Sequence, residues 1–202
     1  MSLTVSRRGF GQLLLGSAFL PLTASLATAD DGAGPYVKKL GAEVISLANA
    51  GTRGDKALQR RFAALFNRYI SIPSVANFAL GPARGDLPGG DKAMFYDLVA
   101  NYAAALFVWY VDDFKGDSLD ITNTADQGKF TTVDTVIKGG GLGGEKLRWR
   151  VSGAGGSYRI ADLNVKGVWL TISMKKLFAD TLKGSNGNFK ALYEKLREAE
   201  TW

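Results

Sequence analysis

The sequence predicts an α+β fold: a four-stranded, curved antiparallel sheet packed against a cluster of about five to six helices, with an apolar cavity between the layers in a cone-type architecture. Three observations lead there. In the first half of the chain, apolar residues recur every three to four positions, as in Val37, Leu40, Val44 and Leu47, which is the period of an amphipathic helix. After Gly116 the period becomes two, with Leu147, Trp149 and Val151 alternating with Arg148, Arg150 and Ser152, which is the period of a half-buried strand. One continuous joint, YRIADLNVKGVWLTISMKKLF at 158–178, then ties sheet to helix. It runs as a strand through Tyr158, Ile160, Leu163 and Val165, breaks at Gly167, and restarts on Ser173 as a helix carrying Leu177 and Phe178.

The elements follow in order. A first helix covers 36–50 and stops at Gly51, the residue type that most often follows a helix C-terminus. Asp55 caps a second helix, whose inner face is Leu58, Phe62, Leu65, Phe66 and Tyr69 while Arg60, Arg61 and Arg68 point elsewhere. Pro73 and Gly81 bracket a short piece presenting Val75, Phe78 and Leu80, and a Gly/Pro-rich loop at 81–90 follows it. The longest helix runs over 91–114. Its second half is apolar on almost every side except Asn101, which marks a central rather than a surface helix. Strands around 119–122, 129–138, 147–151 and 158–166 are joined by turns at 126–128, 139–144 and 153–156 that read as hairpins. In the last strand the apolar phase slips between Ile160 and Leu163, which predicts a bulge near Ala161 and Asp162 and a sheet that is concave on one face. The chain closes with helices at 174–183, capped by Ser173 and ended by Gly184, and at 189–199 after Asn188.

With 202 residues, 46% of them hydrophobic, the chain is long enough to bury a core and barely long enough for a second domain. There is no cysteine and no histidine, which excludes disulfides, thiolate and imidazole metal sites, cysteine nucleophiles and Ser-His-Asp relays. Residues 1–29 read as a cleaved twin-arginine export signal: Ser6, Arg7, Arg8, Gly9 and Phe10, an apolar run at 13–22, and Ala27, Thr28 and Ala29 before Asp30. The apolar run is short of the ~20 residues a membrane span needs, and Pro21 interrupts it. A single domain at 30–202, exported to the periplasm, is the expectation. Removing a leader that holds two arginines and no acid lowers the net charge from +6 to +4. The remaining bases are scattered among acids, so no nucleic-acid stripe forms, although a weak attraction to anionic headgroups fits.

Three motifs invite chemistry. Gly139, Gly141 and Gly144 fit a G-x-G-x-x-G string, but the segment that follows alternates as a strand, whereas a dinucleotide site requires a helix there; the string reads as a hairpin. Ser173 and Lys176 have the S-x-x-K spacing of serine acyltransferases without the companion S-D-N and K-T-G motifs, and read as a helix cap. Asp112, Asp113, Asp117 and Asp120 lack the ligand spacing of a calcium loop and read as an exposed acidic turn. No catalytic residue, metal site or cofactor is predicted. The aromatic residues, among them Phe62, Phe66, Tyr69, Phe78, Phe95, Tyr102, Phe107, Trp109, Tyr110, Trp149 and Trp169, fit a packed core and a cavity wall equally well.

Three blocks carry a resemblance: FAALFNRYISIPSVANFALG at 62–81, the long helix with Phe95 and Tyr102, and the joint at 158–178. Together they resemble the toluene-tolerance family, which includes the MlaC phospholipid carriers and the HpnM proteins of hopanoid gene clusters. The resemblance spans essentially the whole chain after the leader. Departures exist: Ser71 or Ile72 stands where the family has Asp, Tyr158 where Trp is common, Trp169 in place of a small Ser, and Lys175 and Lys176 near a usual Arg. The resemblance implies an NTF2-like fold and a soluble periplasmic shuttle that holds phospholipid or hopanoid tails between helices and sheet. It implies exchange with a membrane ABC transporter system, transient contact with the membrane surface, and a role in outer-membrane lipid homeostasis. The expected tail pocket is Phe62, Phe66, Tyr69, Phe78, Tyr102, Leu106, Val133, Trp149, Leu163, Val165 and Trp169. Trp169 is expected to shape ligand choice, so that Trp169→Ser alters which lipid is held more than it alters folding.

Two readings from other classes stay open on the residues alone. One is a small α+β enzyme using Asp134 or Asp162 as a buried general base, with a raised pKa at the bottom of the pocket. The other is a protein-binding adaptor, which predicts a filled core and an exposed apolar patch.

Overall fold

The computed structural model describes residues 32–202. Six helices and a five-stranded antiparallel sheet make up the fold: α1 (Ala33–Asn49), α2 (Lys56–Tyr69), α3 (Ile72–Leu80), α4 (Lys92–Trp109), β1 (Ser118–Asp126), β2 (Thr131–Lys138), β3 (Lys146–Ser152), β4 (Arg159–Val165), β5 (Val168–Trp169), α5 (Leu170–Gly184) and α6 (Phe189–Arg197). The sheet is a meander in sequence order, β1 to β5. The export signal expected at 1–29 lies outside the described residues.

Local chemistry accounts for most boundaries. Asp55 accepts hydrogen bonds from the N–H groups of Ala57 and Leu58 at 2.8 and 3.0 Å, and Asn188 accepts one from Lys190 at 3.0 Å, which satisfies donors left free at the starts of α2 and α6. The 139–144 segment is a turn between strands. Gly140 adopts φ 70°, and a Cβ there would sit 1.5 Å from the carbonyl oxygen of Lys115. That glycine serves a close backbone approach, not a phosphate.

Pairing in the sheet confirms one bulge and adds another. Arg150 faces Asp162 and Val151 faces Ile160, so Ala161 is the extra residue of β4, at the place where the apolar phase slips. Thr122 is a second extra residue, in β1. Bulges of this kind bend a strand and increase its local twist.

Three boundaries differ from expectation. The sheet has a fifth strand, two residues long, because Lys166 and Gly167 make a tight turn that folds Val168 and Trp169 back onto β4. Helix α5 begins at Leu170 with Trp169 as its N-cap residue, so Ser173 is inside the first turn instead of capping it. Helix α4 stops at Trp109, and Val111–Phe114 forms a 3-10 turn. The cause is Phe114, whose ring stacks on Phe107 at 3.9 Å. In an unbroken helix residues seven apart are separated by about 10 Å along the axis.

Candidate functional site

The concave face of the sheet and the helices do not meet everywhere. Between them is a partly open cavity of about 620 Å³, inside the roughly 300–1,000 Å³ range of ligand pockets and far above the ~30 Å³ share of one water. Its walls come from both halves of the chain. Helix α1 contributes Leu40, Val44 and Ile45; α4 contributes Val99, Tyr102, Ala103, Leu106 and Phe107; the sheet contributes Ile137, Leu147, Trp149, Ile160 and Leu163; and α5 contributes Leu170, Met174 and Leu177. The α4 and α5 positions are spaced by three and four, so each helix offers a stripe.

Such a volume has energetic weight. At ~24 cal/mol per Å³, an unfilled hole of this size would cost on the order of 10 kcal/mol, comparable with the net stability of a domain. It is tolerable where it is filled, or where its opening admits solvent.

Of the eleven residues expected to line a tail pocket, Phe66, Tyr102, Leu106, Trp149, Leu163 and Val165 border the cavity. The other five do not, each for a visible reason. Phe62 is fully buried behind the wall, its ring 4.8 Å from Phe107 and 5.9 Å from Phe66. Tyr69 is buried away from the cavity, donating its hydroxyl to Glu43 at 2.5 Å and packing on Tyr36. Phe78 is 48% exposed, beneath the ammonium of Lys175 at 5.5 Å. Val133 is fully buried in the sheet and does not reach the cavity. Trp169 lies against the Arg150 guanidinium at 3.8 Å, so the ring expected to reshape the pocket is held on its outside. Sequence reasoning missed the α1 stripe and most of α5. The available signal was α4: a helix apolar on all sides has one face for the protein and another for the cavity, and Tyr102, Ala103, Leu106 and Phe107 are only half-buried.

Polar groups in the walls are largely satisfied. The Trp149 indole donates to the fully buried Thr135 hydroxyl at 2.9 Å. Burial raises the Tyr102 phenol above its ordinary value, keeping it neutral. The buried Asp162 carboxylate accepts from Leu163 N–H at 2.9 Å, Thr171 N–H at 3.1 Å and Thr171 Oγ1–H at 2.6 Å, with an Arg150 nitrogen 3.6 Å away. This knot ties β4 to the start of α5 and engages both carboxylate oxygens, on a residue that also borders the cavity. Asp134 is held on the outer face of the sheet by Arg148 at 2.6 and 3.0 Å. That bond lowers its pKa, the opposite of what a general base at pocket depth requires. Lys176, offered as a partner for Ser173, is bonded to Asp180 at 2.6 Å. Asp112 pairs with Lys115 at 2.7 Å, and among the described residues no group of three or more acids is placed to hold a metal. No helix among them is long and apolar enough to cross a membrane. The hollow interior is also unlike the filled core that a purely protein-binding adaptor predicts.

A curved meander closed by helices over a half-open, predominantly apolar cavity defines an α+β domain with room for an apolar ligand. Residues 38–198 match the sequence model of the MlaC protein family, and the chain belongs to that family, as the three blocks predicted. No curated protein matches the chain in sequence. Among solved structures, a phospholipid-binding protein from Ralstonia solanacearum, determined in complex with a phospholipid, superposes with a TM-score of 0.67 at 14% identity. The match covers 86% of this chain and 97% of the other, so the likeness is one of fold.

Proposed function

We propose that the protein is a non-catalytic periplasmic lipid carrier, exported by the twin-arginine route. In this reading it holds phospholipid or hopanoid tails in the cavity and exchanges them with a membrane ABC transporter system to maintain the outer membrane. The observation that carries the reading is the cavity of about 620 Å³ with predominantly apolar walls. An acyl chain of about 16 carbons exposes on the order of 10 kcal/mol of apolar surface at ~0.8 kcal/mol per methylene, so it crosses water only when enclosed. Membership of the MlaC family supports the reading, and so does a solved protein of the same fold holding a phospholipid. Val168, Leu170 and Ile172, each 45–51% exposed and close together where β5 runs into α5, suit brief contact with a membrane surface during loading.

Purified protein, extracted and examined by lipid mass spectrometry, is expected to yield stoichiometric lipid. Absence of lipid, together with no uptake from liposomes, would end the carrier reading. Direct competition between phospholipid and hopanoid decides the ligand: a rigid ring system needs a broad slot, while acyl tails accept narrow channels.

A further inference from the structure

Resting on the carrier reading, we propose that Lys166 receives the phosphate of the lipid headgroup at the cavity mouth. The chain accepts a left-handed backbone at this position to hold the ammonium there.

Lys166 and Gly167 form the two-residue link between β4 and β5, with φ values of 51° and 84°. A hairpin with both central residues left-handed favours Asn-Gly, because asparagine tolerates that conformation and glycine has no Cβ to clash. Lysine has neither advantage. Among the described residues only two that are not glycine have positive φ, and the other is Asn186, an ordinary occupant. The rest of the turn is well built: Asn164 accepts the Gly167 N–H at 3.0 Å. The unfavourable choice is confined to the position that borders the cavity.

That position is both exposed and part of the cavity lining, which places it on the rim. Lys166 is the one lysine or arginine among the described lining residues. Neighbouring cations are engaged elsewhere: Arg150 with Trp169 and Asp162, Lys175 over Phe78, and Lys176 with Asp180. No ion pair among the described residues involves Lys166. A lysine serving solubility alone gains nothing from strained backbone; one that must reach over a fixed opening does.

The chemistry suits a phosphodiester. With tails inside the cavity, the headgroup phosphate comes to rest at the mouth, where an ammonium is a point-charge partner for it. Ser173, also exposed and on the rim, can add a hydroxyl donor.

The test compares delipidated wild-type protein with Lys166→Asn and Lys166→Arg, using phosphatidylglycerol, diacylglycerol with the same tails, and millimolar inorganic phosphate as competitor. Lys166→Asn is expected to melt at or above the wild type, since asparagine suits the turn. Its affinity for phosphatidylglycerol is expected to fall about tenfold, the scale of one charge-assisted hydrogen bond, with diacylglycerol affinity unchanged. Lys166→Arg should retain the preference, and inorganic phosphate should not compete. Equal changes for the two lipids in Lys166→Asn, or none, would overturn the assignment while leaving the carrier reading intact. Displacement of phosphatidylglycerol by inorganic phosphate would make this a free-anion site and overturn it too. Failure of the wild type to bind either lipid would remove the carrier reading and the assignment together.

Discussion

Where α4 begins, the Phe95 ring is 5.7 Å from Phe178 and 6.1 Å from Tyr193, which in turn packs on Phe189 at 6.2 Å. Toward the other end of α4, Tyr102, Leu106 and Phe107 border the same cavity as Leu170, Met174 and Leu177 of α5. The two ends draw on the same residue types, yet one is solid and the other hollow. Composition therefore does not set filling; helix placement does. Phe95 and Phe178 bring α4 and α5 together at one end, while the Asp162 knot fixes the start of α5 to the bulged strand at the other. The intervening space is too wide for the side chains that face it.

This contrast can be tested by truncation. Phe178→Ala at the solid end is expected to cost about 3–5 kcal/mol in a urea titration, the ordinary range for a buried aromatic. Met174→Ala on the same helix borders space already present and is expected to cost about 1 kcal/mol or less, since few contacts are lost. Equal costs would mean that the two ends are packed alike.

Filling is the reverse experiment. Ala103→Trp places a ring where the wall faces the cavity, and overpacking strain arises only where no room exists. Lipid uptake from liposomes is expected to fall to background, with a melting temperature within a few degrees of the wild type. A large drop in melting temperature would show that the space is not available to a side chain.

The smallest effect belongs to neither end. Asp134 is bonded to Arg148 on the outer face of the sheet, with side chains 21% and 57% exposed, so the pair is screened by solvent. Because its folded-state pKa is lowered, its contribution to stability is present above the ordinary carboxylate value of about 3.9 and fades as pH falls through the lower folded value. Asp134→Asn should flatten the pH dependence of stability below about pH 4 and leave lipid uptake unchanged. A loss of uptake would tie the outer face to the site.

Much of this architecture is legible in the sequence because it depends on period and on single residues. The spacing of Val37, Leu40 and Val44 makes α1 a helix with one inner face; Asp55 and Asn188 mark helix starts; the phase slip after Ile160 marks the bulge. The fifth strand is not legible, since Val168 and Trp169 are too few to show a period. The pocket is legible only in part. Phe66 and Phe62 are four apart on one helix face, yet the first reaches the cavity and the second is sealed behind Phe107.

The sequence by itself determined the α+β class, the order of the elements, the curvature of the sheet and the family, because each is encoded in local periodicity or in blocks of adjacent residues. Only the tertiary structure decided that the space between sheet and helices stays open, that Trp169 is held outside it by Arg150, and that a lysine with a left-handed backbone stands on its rim. Those features depend on distances between residues far apart in the chain, or on a backbone angle that lysine does not itself prefer.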